Sequence, residues 1–283
     1  MTSLSLLSWG KDQLQSLGSL ESQVNSEWLL AELTGLERSQ LYLEMNRQIS
    51  REIETRFRNL IRKRKKRTPL AYLLGKTFFW NEVLEVSPGC LIPRPETEIL
   101  VEQFIKDSGF KQNDSFSFLD LAAGSGAIGI ALLRHFLQAK ATFSDISSNA
   151  LCILRNNLTR YNLWTRSQVI CSDLFTAFRD QKWNAIVCNP PYLAESDFSE
   201  LQPEVLQEPR EALAGGRDGF DFYRRIVKQA KGHLVSGGWL FLEIGKGQSE
   251  IICGWLQENR FQNIQCFKDH AKIDRVIMAQ ANS

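Results

Sequence analysis

Over residues 1–67, apolar residues return at helical spacing. Leu29, Leu30, Leu33 and Leu36 form one stripe; Ile49, Ile53, Phe57, Leu60 and Ile61 form another. Three or four short helices are expected, with Gly10, Gly18 and Gly35 as punctuation. At 78–86 the rhythm changes to aromatic and alternating residues, as in a small hairpin. A helix should follow from about residue 98 to 106, with acids near its N-terminus. From residue 115 short apolar runs alternate with amphipathic stretches. The runs at 116–121, 141–146, 167–171, 183–188, 239–244, 263–267 and 275–279 read as strands, and 127–138, 148–161, 220–233 and 249–258 as helices. This alternation implies an α/β fold: a seven-stranded, mostly parallel sheet covered by helices on both faces. The expected organisation is a helical region at 1–75, a hairpin and linker at 76–98, and the sheet domain at 99–283.

Charge changes the picture in one place. The chain of 283 residues has a formal net charge of +2, but residues 1–75 hold 12 Lys/Arg against 8 Asp/Glu. The positive excess therefore lies in the helical region, the better candidate for an acidic partner. It ends in six contiguous cations at 62–67, expected to be a solvated helix end favoured by the C-terminal dipole. The six cysteines form no C-x-x-C pair and the three histidines are far apart, so free thiols and no metal site are expected. No apolar run approaches the length of a membrane span, and the N-terminus lacks a secretory pattern. A cytoplasmic monomer is the expectation.

The first strand leads into Leu119-Asp120-Leu121-Ala122-Ala123-Gly124-Ser125-Gly126. Glycines let this chain turn tightly and bring backbone N–H groups close to a ligand. The helix beyond offers unsatisfied donors and the positive end of its dipole. Ala122, Ala123, Gly124, Ser125 and Gly126 are thus candidate contacts for a carboxylate, such as the methionine end of S-adenosylmethionine. The second strand ends at Asp145, where a carboxylate commonly binds a ribose; capping the helix near Ser147 or Ser148 is the plain alternative. The third leads to Asp173 and Leu174, an acceptor for an adenine amino group and an apolar contact for its face. Three such signals at successive carboxyl ends of strands point to an adenosine-containing cofactor. A nicotinamide cofactor competes until the fourth strand is read.

That strand ends in Asn189-Pro190-Pro191-Tyr192. An amide or aryl-amine nitrogen is a poor nucleophile because its lone pair is delocalised. Two acceptors gripping its N–H groups would orient that lone pair toward a sulfonium methyl. Asn189 supplies a side-chain oxygen, Pro190 a carbonyl on a stiffened backbone, Pro191 further restriction, and Tyr192 an aromatic wall. Asn189, Pro190 and Tyr192 are the candidate catalytic residues, and Asn189 also faces the cofactor. The donor is already activated, so positioning and electrostatics suffice.

These residues resemble the peptide chain release factor glutamine methyltransferases, the HemK-like class I methyltransferases. The resemblance runs almost end to end. It includes Pro69-Leu70-Ala71-Tyr72-Leu73-Leu74-Gly75, Leu91-Ile92-Pro93-Arg94-Pro95-Glu96-Thr97-Glu98, the glycine loop, Asp145-Ile146-Ser147 and the Asn-Pro-Pro-Tyr string. It continues through Glu208-Pro209-Arg210-Glu211-Ala212-Leu213, Gly215-Gly216-Arg217-Asp218-Gly219, Leu242-Glu243-Ile244-Gly245 and Asp274-Arg275-Val276. The resemblance implies a Rossmann-like class I methyltransferase sheet, S-adenosylmethionine as methyl donor, and N5-methylation of the glutamine in the Gly-Gly-Gln motif of release factors. Because the positive excess lies ahead of the hairpin and a short glutamine loop offers little binding surface, residues 1–75 are expected to dock the body of the release factor and the linker carrying Arg94 and Glu96 to shape the pocket entrance. Two departures stand out. Ala122 occupies the place of the family's first loop glycine, and Lys268-Asp269-His270-Ala271 replaces a segment that often reads D-L-x-G.

Three alternatives share parts of this pattern. A nucleic-acid exocyclic-amine methyltransferase would grip a flipped base with the same four residues, but no large basic or recognition domain accompanies them. Ribosomal-protein glutamine methyltransferases diverge after I-P-R. Against a non-catalytic scaffold of the same fold stand the intact glycine loop, Asp145 and Asn189, with Ala122 as the one feature in its favour.

Overall fold

A computed structural model describes residues 1–282. The chain forms two compact units. The first comprises Met1–Lys76 with Gln202–Gln207; the second comprises the remaining described residues.

The first unit is helical: α1 (Ser3–Gln13), α2 (Ser19–Thr34), α3 (Arg38–Leu43), α4 (Arg51–Lys65) and α5 (Leu70–Leu74). Leu6, Leu14, Leu29, Leu30, Leu41, Phe57 and Ile61 form its core. Two expectations are corrected here. Gly10 does not punctuate helices; it lies inside α1, where a Cβ would stand 2.8 Å from the Phe57 ring, so close helix packing sets it. The basic run is not wholly solvated either. Arg62, Lys63, Lys65 and Lys66 are exposed, but Arg64 is only 2% exposed. Its guanidinium donates to Asn25 at 2.6 Å, Glu21 at 2.7 Å and Glu204 at 2.7 Å. Helical phase explains the exception, because Arg64 lies three residues beyond the core residue Ile61.

In the second unit, the short strands β1 (Lys76–Phe79, whose first residue closes the Met1–Lys76 segment of the first unit) and β2 (Glu82–Glu85) form the hairpin, and α6 (Glu98–Asp107) follows the linker. Then come β3 (Ser117–Leu121), α7 (Ala127–His135), β4 (Lys140–Asp145), α8 (Ser148–Arg160), β5 (Ser167–Cys171) and β6 (Trp183–Cys188). The chain ends with α9 (Asp221–Ala230), β7 (Leu234–Glu243), α10 (Ser249–Glu258), β8 (Phe261–Lys268) and β9 (Asp274–Ala281). The sheet order is β5-β4-β3-β6-β7-β9-β8, parallel except where β9 runs antiparallel between β7 and β8. Alternate residues of each central strand enter opposite cores. Phe118, Ala185, Val187 and Phe241 pack with α6, α7 and α8; Leu119, Ile186, Leu240 and Leu242 pack with α9 and α10. Burial on both faces is why these strands read as unbroken apolar runs.

Several boundaries differ from expectation for local reasons. α7 stops at His135 because Phe136 turns extended and inserts its ring 5.1 Å from Phe116 and 5.8 Å from Phe104. α9 ends at Ala230 in a 3-10 turn, Lys231–His233. β7 begins at Leu234, earlier than residue 239, since Leu234 pairs with Trp183 before an irregularity in the ladder. The 268–271 departure forms a tight connection in which Asp269 accepts from the Ile273 N–H at 2.9 Å and pairs with Arg275 at 3.0 Å.

Candidate active site

β3 neighbours both β4 and β6, so the strand order reverses there, and ligands of open α/β sheets bind beyond the carboxyl ends at such a point. A cleft of about 920 Å³, its open mouth included, lies at these ends. Its wall includes Ala122, Ala123, Gly124, Ser125, Asp145, Asp173, Leu174, Asn189 and Pro191. The linker adds Leu91, Pro93 and Thr97, and the chain after β4 adds Ile146 and Ser147. Ile146, although large and apolar, is 62% exposed, the one signal that could have marked it for a ligand.

The glycine loop is fastened from both sides. Asp120, 1% exposed, accepts from the Gly129 N–H at 2.8 Å, and burial pushes its carboxyl well above the usual range. Asp145 accepts from the Gly124 N–H and the Ser147 N–H, both at 2.8 Å, and burial raises its proton affinity too. The cap of α8 is therefore Ser147, whose hydroxyl accepts from Ala150. Asn157, fully buried on α8, donates to the Ser125 carbonyl at 3.0 Å and exchanges hydrogen bonds with the Glu85 backbone. One asparagine thus ties hairpin, helix and glycine loop together.

Gly126 lies off the cleft wall and serves packing: it caps α7 with φ +84°, and a Cβ would fall 2.2 Å from Leu154 Cδ1. Gly124, Gly126 and Gly129 also stand at G-x-G-x-x-G spacing, shared with dinucleotide folds, so glycine spacing does not separate the two cofactor types. Ala122 holds the left-handed φ of +56° that a glycine would adopt without strain. Asp173 lines the cleft while pairing with Arg225 at 2.7 Å.

The Asn-Pro-Pro-Tyr turn is held from beneath. The Asn189 Nδ2 donates to the Thr97 hydroxyl at 3.2 Å, and the same hydroxyl stands near enough to the Glu243 carboxylate, at the end of β7, to favour its ionised form. Gln248 donates to the Tyr192 carbonyl at 3.1 Å. A Cβ on Gly215 would lie 2.7 Å from the Tyr192 Cα, and one on Gly219 2.5 Å from the Tyr192 carbonyl oxygen. These glycines exist because the turn's backbone passes directly against them. Burial pushes the Tyr192 phenol up to about 12, keeping it neutral.

Pro190, Tyr192, Arg94 and Glu96 are not among the cleft-lining residues. Arg94 pairs with Glu208 at 2.5 Å, and the other Glu208 oxygen accepts from the Ile92 N–H at 3.0 Å. Arg94 thereby ties the linker to the segment before Arg210. Thr97 and Glu243 entered the sequence reading only inside motif strings; neither has a spacing that announces its partner. Among the described residues no cluster of three metal-ligating side chains occurs, and no helix is long and apolar enough to cross a membrane.

With this geometry in place, comparison with known proteins is specific. Residues 5–75 match the model of the PrmC N-terminal domain, and residues 95–273 that of the methyltransferase small domain. The chain is 36% identical over 273 residues to a release factor glutamine methyltransferase of Geobacter sulfurreducens, covering 96% of this chain and 94% of that one. It is 38% identical to the same-named protein of Chlamydia trachomatis serovar D, covering 95% and 91%. The fold is shared with a methyltransferase from Pyrococcus furiosus (TM-score 0.53, 16% identity, covering 71% of this chain and 89% of that one). It is shared equally with the T. thermophilus 16S rRNA N2 G1207 methyltransferase solved with AdoMet and guanosine (TM-score 0.54, 20% identity, covering 73% and 50%). The match along nearly its whole length shows that this chain belongs to the release factor glutamine methyltransferase family.

Proposed function

We propose that this protein transfers the methyl group of S-adenosylmethionine to the side-chain amide nitrogen, N5, of the glutamine in the Gly-Gly-Gln motif of peptide chain release factors. The observation that carries the reading is Asn189 on the cleft wall, its amide nitrogen already engaged by Thr97, in a chain so closely related to named release factor methyltransferases.

The cleft fits the donor. Backbone groups of Ala122 to Ser125 would take the methionine end, Asp145 has lone pairs left for the ribose hydroxyls, and Ile146, Leu174 and Phe222 offer apolar walls for an adenine, with Asp173 at its edge. When bound, S-adenosylmethionine supplies a sulfonium methyl: the C–S bond breaks, its electron pair stays on sulfur, and an N–C bond forms. The Asn189 oxygen and the Pro190 carbonyl accept the two amide N–H groups of the glutamine and orient its lone pair. Tyr192, neutral, flanks the planar amide on the acceptor side, and one amide proton leaves to solvent once the nitrogen carries the methyl.

In this reading the helical unit, with its positive excess, docks the body of the release factor, and the Arg94–Glu96 linker frames the acceptor's approach. In the same reading the protein acts as a monomer in the cytoplasm and does not require nucleic acid. The test is incubation with methyl-labelled S-adenosylmethionine and separate pools of release factor, ribosomal protein, RNA and DNA. Label on the Gly-Gly-Gln glutamine is expected; label on any other pool alone overturns the reading.

A further inference from the structure

Thr97 closes the 3-10 turn Pro95–Thr97 and Glu243 ends β7; they are 3% and 1% exposed. The Thr97 hydroxyl carries a single proton. It accepts from Asn189 Nδ2 at 3.2 Å and contacts the Glu243 carboxylate, so its proton goes to Glu243. An ionised carboxylate only accepts. It therefore fixes the direction of the whole relay: hydroxyl proton toward Glu243, hydroxyl lone pair toward the Asn189 N–H, and the Asn189 oxygen left for the cleft. Without that constraint the amide could turn over and set its own N–H against the N–H of an acceptor amide, donor facing donor.

We infer that Thr97 and Glu243 are positioning residues for methyl transfer, holding Asn189 with its oxygen, and not its nitrogen, toward the acceptor. The inference rests on the methyltransferase reading above and adds to it the pair that sets the direction of its key hydrogen bond. The second carboxylate oxygen of Glu243, Oε2, is buried without a hydrogen-bond partner. The charged and titratable groups around it are Arg275, Arg94, Glu96, Tyr192, Tyr223 and Cys188. The two arginines favour the ionised form, while burial pushes the carboxyl up to about 7. Proton uptake on Glu243 just below neutrality removes the charge that holds the hydroxyl proton, and the relay loses its fixed direction.

The test uses the full chain. Thr97→Val keeps the side-chain shape and removes the hydroxyl. In single-turnover transfer to release factor it should lose about 10–100-fold, the range typical of outer-shell residues that orient a ligating group, with cofactor affinity by calorimetry unchanged. Thr97→Ser should restore most of the turnover. The wild-type rate should fall as pH drops through about 7, a limb absent in Thr97→Val and Glu243→Gln. A readout independent of activity is NMR of the ligand-free protein. The Asn189 side-chain amide should shift with the same midpoint as the Glu243 carboxyl carbon, and Thr97→Val should abolish that coupling. Wild-type turnover in Thr97→Val, or an Asn189 amide that ignores the Glu243 titration, overturns the inference. If the wild type methylates no release factor, the functional reading fails instead, and the NMR coupling still decides this one.

Discussion

The side-chain amide of Asn189 donates to the hydroxyl of Thr97 across 3.2 Å, joining residues 92 positions apart in the chain. The bond links the turn after the fourth sheet strand to the linker ahead of α6. It engages the amide nitrogen of Asn189 at the cleft wall.

Asn189→Ala should remove the acceptor for the reacting N–H while leaving the glycine loop and Asp145 in place. Loss of one preorganised hydrogen bond at an electrostatic site costs about 10²–10³ in rate. Single-turnover transfer should fall by that order, with S-adenosylmethionine affinity nearly intact. Wild-type turnover would remove Asn189 from the chemistry.

Asp145→Ala should weaken cofactor binding and also loosen the loop, because both carboxylate oxygens hold backbone N–H groups at 2.8 Å. Charge-assisted hydrogen bonds contribute about 1.5–3 kcal/mol each, so calorimetry should show an affinity loss of at least tenfold, about 1.4 kcal/mol. An unchanged dissociation constant would confine Asp145 to holding the loop.

Ala122→Gly should stabilise the folded protein. Ala122 sits at φ +56°, where an L-residue costs roughly 1–2 kcal/mol, partly offset by the greater chain entropy that glycine loses on folding. A net gain of about 0.5–1 kcal/mol in urea unfolding is expected, with cofactor affinity equal or better. A drop in stability would mean that the alanine methyl packs productively.

Glu243 makes stability depend on pH with a definite sign. Its carboxyl is raised to about 7 from 4.5 by burial, so the native state holds the proton more tightly than the unfolded chain. That contribution is complete below about pH 4.5 and is lost as pH rises through about 7. Its size is on the order of 3 kcal/mol. Glu243→Gln stays neutral throughout, so its stability relative to wild type should improve between pH 5 and pH 8. A flat difference in urea midpoints would show that Glu243 does not titrate in this window.

Arg64→Ala should disturb the helical unit locally. It removes the buried partner of Glu204 and Glu21, and breaking a buried ion pair from one side costs about 3–5 kcal/mol, less here because Glu21 is half exposed and Arg67 still reaches Glu204 at 3.2 Å. Hydrogen exchange should accelerate in Gln202–Gln207 and at the end of α4, while the β3 and β6 amides keep their protection. Uniform loss of protection would mean that both units unfold together.

Whatever depends on near neighbours was legible along the chain. Strand and helix alternation, the tight loop around Gly124, the carboxylate at the tip of β4 and the stiff turn at Asn189-Pro190-Pro191-Tyr192 are local patterns, since periodicity and backbone restriction act over a few residues. The end of α7 was not legible, because Phe136 leaves the helix to join rings contributed by α6 and β3. Tertiary structure alone decided which polar groups meet. It buried Arg64 among Asn25, Glu21 and Glu204, gave Arg94 to Glu208 away from the cleft wall, and set Thr97 between Asn189 and Glu243. A hydrogen bond needs a donor and acceptor within about 3 Å. No spacing along a chain specifies that distance for residues a hundred positions apart; only the packing that buries them does.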